Sequence, residues 1–337
     1  MEQKHILILG TGSVGKRHAI NLSSLGCTIS CMDTRSDRLE EVKQEIDVVG
    51  TYRSIEEAFS DSLKKYDGVV VASPPVFHVD QSIAVLEHEI PVLLEKPVSP
   101  DEVSARRLQD VVNNTGIPLL LGYTWRWWPP LVKVRELIEN ETIGKLRYVQ
   151  FMMSAHLADW HPWENYWDFF MASKDLGGGA LLDESHWIDL MLWFFGAPES
   201  LFAKIDKVSD LKIDTDDNVD MVITYKDGLY ITIHLDIYGR PHEKYIRFIG
   251  EKGTILWTAE PNRVSVGKDW SQTWETHDFA CERNDMFVEV GKEFIDILNG
   301  SGVKTCDIND GVRVISLIEA ARQSSAEGRV TELNLLR

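Results

Sequence analysis

The chain has 337 residues, 44% of them hydrophobic, and its 35 Lys+Arg stand against 53 Asp+Glu for a formal net charge of −18. That length suits two domains with buried cores, and the apolar fraction excludes a disordered or fibrous chain. So acidic a surface repels nucleic acid and anionic membranes, and no apolar stretch approaches the ~18 residues of a membrane helix, so neither partner is expected.

In chain order, residues 5–9 read as a compact β run, 14–25 as a helix, 28–32 as a second strand and 37–45 as a helix. An all-apolar run at 68–72 ends at Ser73-Pro74-Pro75. Residues 79–88 read as a helix, 90–94 as a strand, 100–113 as a helix and 117–121 as a further apolar run before Gly122. Strands apolar on both faces and separated by helices predict a parallel sheet covered on both sides. Composition then shifts to a Trp/Arg/Pro-rich connector at 122–130, where the domain boundary is expected. After a helix at 131–139, strands with period-2 alternation take over at 146–152, 219–225, 229–237, 245–249 and 254–257. Lys226-Asp227-Gly228 is a hairpin signal between two of them. Helices around 285–298 and 309–324 close the chain.

The first strand runs into Gly10-Thr11-Gly12-Ser13-Val14-Gly15, a G-x-G-x-x-G that opens a helix. Its glycines serve a tight turn, the approach of backbone to a pyrophosphate and close helix–sheet packing. The helix N-terminus offers N–H groups and a positive dipole end to phosphate. Asp33, 18 residues past Gly15, is the expected carboxylate for an adenosine ribose hydroxyl. It repels a 2′-phosphate and so points to NAD. Arg35, two residues on, is either the acceptor of that phosphate, which keeps NADP as the alternative, or a solvated surface charge. His18 and Lys16 are read as packing or surface residues.

The strand at 90–94 delivers Glu95-Lys96-Pro97 to the carboxyl edge of the sheet, where open α/β folds bind ligands. A lysine beside a carboxylate and before a rigid proline is a poised donor; the plain alternative is a surface salt bridge with a turn proline. Further on, Gly177-Gly178-Gly179 reads as a flexible loop entering one apolar helix that runs to Phe195. Spacing of three on that helix places Asp183, His186 and Asp189 on a shared face. An imidazole beside carboxylates suits removal of a hydroxyl proton while hydride leaves the same carbon.

Seven of the eleven tryptophans fall between residues 125 and 187. Most are read as core. Trp163 and Tyr166, in a polar segment with His156, His161 and Asp168, are the candidates for contact with a sugar. Those His and Asp residues adopt no ligand spacing, so no metal is expected. Cys27, Cys31, Cys281 and Cys306 match neither a zinc pattern nor a disulfide framework, and the N-terminus lacks a signal-peptide core, so a cytoplasmic protein is expected.

Together these motifs resemble the glucose-fructose oxidoreductase / inositol dehydrogenase / rhizopine-catabolism (Gfo/Idh/MocA) oxidoreductases over nearly the whole chain. The likeness rests on Gly10-x-Gly12-x-x-Gly15, Ser73-Pro74-Pro75 with His78, Glu95-Lys96-Pro97, Gly122-Tyr123 with Arg126, and Gly177-Gly178-Gly179 followed by Asp183, His186 and Asp189. It implies an α/β protein: a Rossmann domain over 1–122 and a C-terminal α+β domain over 123–337. The second carries a large open, mainly antiparallel sheet for substrate binding and for self-association as a dimer or tetramer.

The implied activity is NAD(P)-dependent hydride transfer at a sugar or cyclitol carbon. Implied cofactor contacts are Gly10, Gly12, Ser13, Val14, Gly15, Asp33, Arg35, Ser73, Pro74, His78, Glu95, Lys96 and Arg126, the last of which has an acidic partner as its other reading. Implied substrate contacts are Lys96, Tyr123, Trp163, Tyr166, Asp183 and His186. Of these, His186 is the acid/base, Lys96 the holder of the reacting oxygen and Asp183 an orienting group. The Asp-to-His spacing of three departs from the family's usual four. A smaller branch shares it, with a Trp-His-Pro-Trp segment like Trp160–Trp163, and is linked to bacterial surface sugars. An NAD-retaining glycoside hydrolase of this fold and a non-catalytic nucleotide sensor are the rival readings.

Overall fold

In the computed structural model, the described residues are 3–61, 65–160, 162, 164–268, 270 and 273–333. In chain order they form β1 (His5–Leu9), α1 (Ser13–Ser24), β2 (Thr28–Met32), α2 (Ser36–Glu45), β3 (Val48–Tyr52), α3 (Ile55–Ser60), β4 (Gly68–Val71), α4 (His78–Leu86), β5 (Val92–Leu94), α5 (Glu102–Thr115) and β6 (Leu119–Leu121). Next come α6 (Pro129–Glu139), β7 (Leu146–Ser154), α7 (Ala180–Asp183), α8 (His186–Phe195), β8 (Ser200–Asp206), β9 (Asn218–Thr224) and β10 (Tyr230–Asp236). The chain closes with β11 (Glu243–Gly250), β12 (Gly253–Thr258), β13 (Arg263–Gly267), β14 (Trp274–Asp278), α9 (Arg283–Leu298), α10 (Ile308–Glu327) and β15 (Thr331–Glu332). None of the helices among the described residues is long and apolar enough to cross a membrane.

Two compact units divide the chain: Met1–Thr124 with Arg283–Ile315, and Trp125–Glu282 with Ser316–Arg337. The first is built on a parallel sheet ordered β3-β2-β1-β4-β5-β6. Its central strands are apolar on both faces because helices cover both, and Ile6–Leu9 and Val69–Val71 have no exposed surface. The strand order reverses between β1 and β4, whose carboxyl ends form the crevice where such sheets bind ligands. Asp101 caps α5 by accepting from the Ser104 N–H, and Gly116, at φ +66°, ends it.

Arg283–Ile315 packs with this first unit, whereas the sequence reading ran the second domain unbroken from 123 to 337. The reason is physical. An amphipathic helix announces its apolar stripe, here Met286, Phe287, Val290, Phe294 and Ile297 of α9, but not the surface that will cover it. Phe294 lies against Gly68, where a Cβ would come within 2.8 Å of its ring, and the Leu121 N–H donates to the Cys306 carbonyl.

The second unit holds a nine-stranded sheet ordered β14-β13-β12-β11-β7-β10-β9-β8-β15. Every pairing is antiparallel except β7 with β10. The alternation seen in the sequence becomes two faces: Val149, Phe151, Ile231, Ile233, Met221 and Phe248 are buried, while Val222, Tyr230 and Phe202 point outward. Helix α8 lies on the buried face, with Trp187 against Phe151 and Phe194 against Phe248. The predicted hairpin is present, Gly228 at φ +86° closing a Tyr225–Leu229 turn.

Candidate active site

In the first unit, β1 ends in a turn that only glycine can build. Gly10 sits at φ +83°, and a Cβ there would lie 2.7 Å from the backbone of Ser73. On Gly15 a Cβ would run into the Gly10 carbonyl oxygen. Gly12, at the start of α1, offers no side-chain cap, so the first N–H groups of the helix point outward unspent. This cradle fits the pyrophosphate of a dinucleotide, with exposed Ser13 and half-buried Val14 at its lip. Asp33 is buried beside this turn. Its Oδ2 accepts from the Thr11 N–H (2.7 Å) and hydroxyl (3.0 Å), and its Oδ1 accepts from the Arg35 N–H (2.9 Å). Thr11 thus orients the carboxylate, a role the sequence reading did not assign.

Arg35 is exposed and paired with Asp37, whose carboxyl it holds down at about 2 by hydrogen bonding. The surface-charge alternative describes its present state. Arg38, passed over in the sequence, lies over the loop instead, its guanidinium 3.3 Å from where a Gly12 Cβ would be.

Beside this cradle, β4 leads to Ser73 and Pro74, and β5 delivers Glu95, Lys96 and Pro97. His78 joins the two strand ends: its Nδ1 lies 2.7 Å from the Pro97 carbonyl and its Nε2 2.7 Å from that of Ser73. The ring is 1% exposed, and burial pushes its pKa down. Whichever ring nitrogen carries the proton donates to one of these two carbonyls, so the ring is turned toward the scaffold. Glu95 is likewise turned inward. Its Oε1 lies 2.6 Å from His18 Nε2, and a Cβ on Gly122 would come within 2.8 Å of the same carboxylate. The sequence signal for His18, three residues past Gly15 on the buried side of α1, was available but reads like ordinary packing. Lys96 is half-buried at the end of this arrangement, and its peptide bond to Pro97 is cis. Tyr123 has no exposed surface.

In the second unit, the Gly177-Gly178-Gly179 loop leads into two helices rather than the single one expected. Helix α7 ends at Asp183 and α8 begins at His186. Between them the backbone tightens, with three-residue bonds from Ser185 N–H to the Leu182 carbonyl and from Trp187 N–H to the Glu184 carbonyl. Glu184 also accepts from the indole of Trp187 at 2.8 Å, which fixes the break. The shared-face argument therefore applies to His186 and Asp189 only. Asp183 is buried and His186 half-buried.

Asp189 forms a buried bidentate pair with Arg126, Nε–Oδ2 3.0 Å and Nη2–Oδ1 2.7 Å. Of the two readings of Arg126, the acidic partner is the one realised in this conformation. That pair anchors α8 one turn below His186. Trp125, Trp128, Trp187 and Trp257 meet edge-on or tilted in one aromatic cluster, the packing role expected for most of the tryptophans. Tyr166 is half-buried, and its hydroxyl accepts from the Lys212 N–H at 3.2 Å. Trp163 and His161 lie outside the described residues. Among the described residues no group of three His, Cys, Asp or Glu side chains is arranged to hold a metal ion.

Residues 4–123 match the model of the oxidoreductase family with an NAD-binding Rossmann fold, and residues 131–256 match the GFO/IDH/MocA C-terminal domain. The chain is 26% identical to the myo-inositol 2-dehydrogenase of Thermotoga maritima over 97% of each protein. To the rhizopine catabolism protein MocA of Rhizobium meliloti it is 31% identical, over 76% of this chain and 75% of that one. A solved levoglucosan dehydrogenase, in complex with NADH, superposes with a TM-score of 0.88 at 17% identity, covering 99% of this chain and 100% of the other. The chain belongs to the GFO/IDH/MocA family of oxidoreductases, with an NAD-binding Rossmann fold in its first unit.

Proposed function

We propose that this protein is an NAD-dependent dehydrogenase or reductase acting on a CH–OH carbon of a sugar, cyclitol or sugar derivative. The observation that carries the reading is the glycine cradle with Asp33 locked by Thr11, combined with the presentation of Lys96 by the strand end after β5 and of His186 at the head of α8. Relatives named as inositol, xylose and apiose dehydrogenases support the substrate class.

Bound NAD supplies the hydride acceptor. The chain's own residues do the rest. Gly10, Gly12 and Gly15 admit the pyrophosphate, and Asp33 accepts from a ribose hydroxyl. Lys96 donates to the reacting oxygen and stabilises its developing negative charge, while His186 Nε2 or Nδ1 takes the hydroxyl proton. Asp183 orients the substrate or the imidazole. Arg126 and Asp189 hold α8, and with it His186, in place. Buried His18 keeps the Glu95 carboxylate satisfied and so keeps the Glu95-Lys96-Pro97 segment in one conformation.

The outward face of the nine-stranded sheet carries Phe202 and Val222 in direct register, with Tyr230 on the same face. On that support we further assign the protein to homodimers or homotetramers built through this face. Four free thiols support residence in a reducing cytoplasm. The Trp160–Trp163 segment directs the substrate search toward bacterial surface sugars as well as free ones.

The test is a panel of sugars, cyclitols and nucleotide-sugars offered with NAD and with NADP, read as nicotinamide absorbance. Turnover with NAD is expected. Replacing Lys96 by Ala is expected to lower kcat by about 10²–10³-fold while NADH affinity stays within about threefold. Normal turnover by that variant would overturn the role given to Lys96.

A further inference from the structure

The Gly177-Gly178-Gly179 turn has no side chains with which to hold itself, and α7 behind it is a single turn, too short to persist alone. Local bonds from the Gly178 N–H to the Ser173 carbonyl and from the Gly179 N–H to the Met171 carbonyl shape it, and a distant segment, Asp214-Thr215-Asp216, just before β9, braces it from outside. Asp214 Oδ1 accepts from the Lys174 N–H at 2.7 Å, and the Thr215 hydroxyl donates to the Met171 carbonyl at 3.2 Å. Asp216 does most. Its carbonyl oxygen accepts from the Ala180 N–H at 3.0 Å, and its carboxylate Oδ2 accepts from the Leu181 N–H at 2.8 Å. Its other carboxylate oxygen lies 2.5 Å from the point a Gly179 Cβ would occupy, and Gly179 stands at φ +111°. Two of the orphan donors at the head of α7 are thus taken by one residue. Burial pushes the Asp216 carboxyl upward, so the protein keeps a costly group at this spot.

Helix α7 ends at Asp183, and after the tightened link α8 begins at His186. The place where α7 starts therefore bears on how both side chains are presented, His186 from one end while the Arg126–Asp189 pair holds α8 from the other. We propose that Asp216 is a positioning residue for the Asp183–His186 pair: it fixes the start of α7 from outside and, through that turn, the placement of the proton-transfer group. The inference rests on the acid/base role given to His186 above.

Its neighbour provides the control. Asp217 has no exposed surface and accepts from the Val208 N–H (2.7 Å), the Ser209 N–H (3.1 Å) and the Ser209 hydroxyl (2.5 Å), so it holds a different loop. The experiment compares Asp216→Ala, Asp216→Asn, Asp217→Ala and His186→Ala in the full chain. It reads kcat and KM on a sugar found in the panel, thermal midpoint, and the titration of the His186 ring protons by NMR in the protein without nucleotide.

For Asp216→Ala the expected result is a fall in kcat of about 30-fold with KM within about threefold, and a His186 titration displaced by about half a pH unit or more. Asp216→Asn keeps an oxygen for the Leu181 N–H and is expected to restore kcat to within about threefold of the parent. Asp217→Ala is expected to lower the thermal midpoint but leave the His186 titration in place. The proposal is overturned if Asp216→Ala leaves kcat and the His186 titration unchanged, or if Asp217→Ala displaces that titration equally. If His186→Ala turns over normally, the acid/base reading itself fails, whatever the Asp216 variants do to the His186 titration.

Discussion

Both units contain a glycine-rich turn that feeds a helix, and the two turns do opposite things. At Gly10–Gly15 the glycines clear space: backbone meets backbone behind the loop, and the first N–H groups of α1 are left facing out. At Gly177–Gly179 the glycines allow the protein to fill space. A Cβ on Gly178 would strike the Met171 carbonyl, and Gly179 admits the Asp216 carboxylate to the head of α7. One turn is left open and the other is closed by the chain itself. A glycine run alone does not distinguish these cases; what decides is whether the helix's first donors are spent internally.

The sharpest way to break this comparison is Gly15→Ala. The added Cβ collides with the Gly10 carbonyl, and NADH affinity by fluorescence titration is expected to fall about a hundredfold, ~2.7 kcal/mol. Retained affinity would mean that the cradle is not where the nucleotide binds. Next in size is Gly179→Ala. A side chain at φ +111° beside Asp216 is expected to cost about 1–3 kcal/mol in unfolding free energy and to lower kcat about tenfold, with NADH affinity within about twofold. A large loss of NADH affinity in that variant would erase the distinction between the two turns.

A smaller effect concerns nucleotide choice. Asp33→Ala is expected to weaken NADH binding about tenfold and improve NADPH binding relative to it, because the locked carboxylate is removed. Arg35→Ala, which removes an exposed pair with Asp37, is expected to change either affinity by no more than about twofold.

The mildest prediction concerns neither turn. His234 on the outward face of the sheet lies between Asp236 (3.0 Å) and Asp220 (2.7 Å), and the hydrogen bond to Asp236 leads in raising its pKa to about 9. A histidine raised in the folded state stabilises fully below its unfolded value of about 6.5, and that contribution is lost as pH rises through about 9. The thermal midpoint of the parent is therefore expected to exceed that of His234→Gln near neutrality and to converge with it above pH ~9. A constant gap across that range would contradict the pairing.

How much of this was legible in the sequence follows from the same physics. Apolar runs and their helical spacers announced the parallel sheet, because β1, β4 and β5 are buried on both faces and carry nothing else. Strand β3 escaped notice: Val48–Tyr52 is a half-buried edge with a glycine in the middle. Strand β14 escaped for a similar reason, since all five of its residues are exposed and polar alternation carries no signal there.

Around the candidate site, the Gly10–Gly15 turn was readable because its geometry needs glycine. What stayed hidden was partnership. Thr11 beneath Asp33, His18 against Glu95 and His78 against the Pro97 carbonyl are pairings between separate elements that no local pattern encodes, and Arg126 offered an acidic partner without saying that it would be Asp189. The break at Glu184–Ser185 was hidden too, because its cause is a side-chain bond from Trp187 rather than a helix-breaking residue.

The most direct test of the central claim is the turnover of His186→Ala on the substrate found in the panel, measured beside its NADH affinity. The account predicts a kcat lower by about 10²–10⁴-fold with NADH affinity within about twofold of the parent. Reduction of NAD by this variant at the parental rate would contradict it.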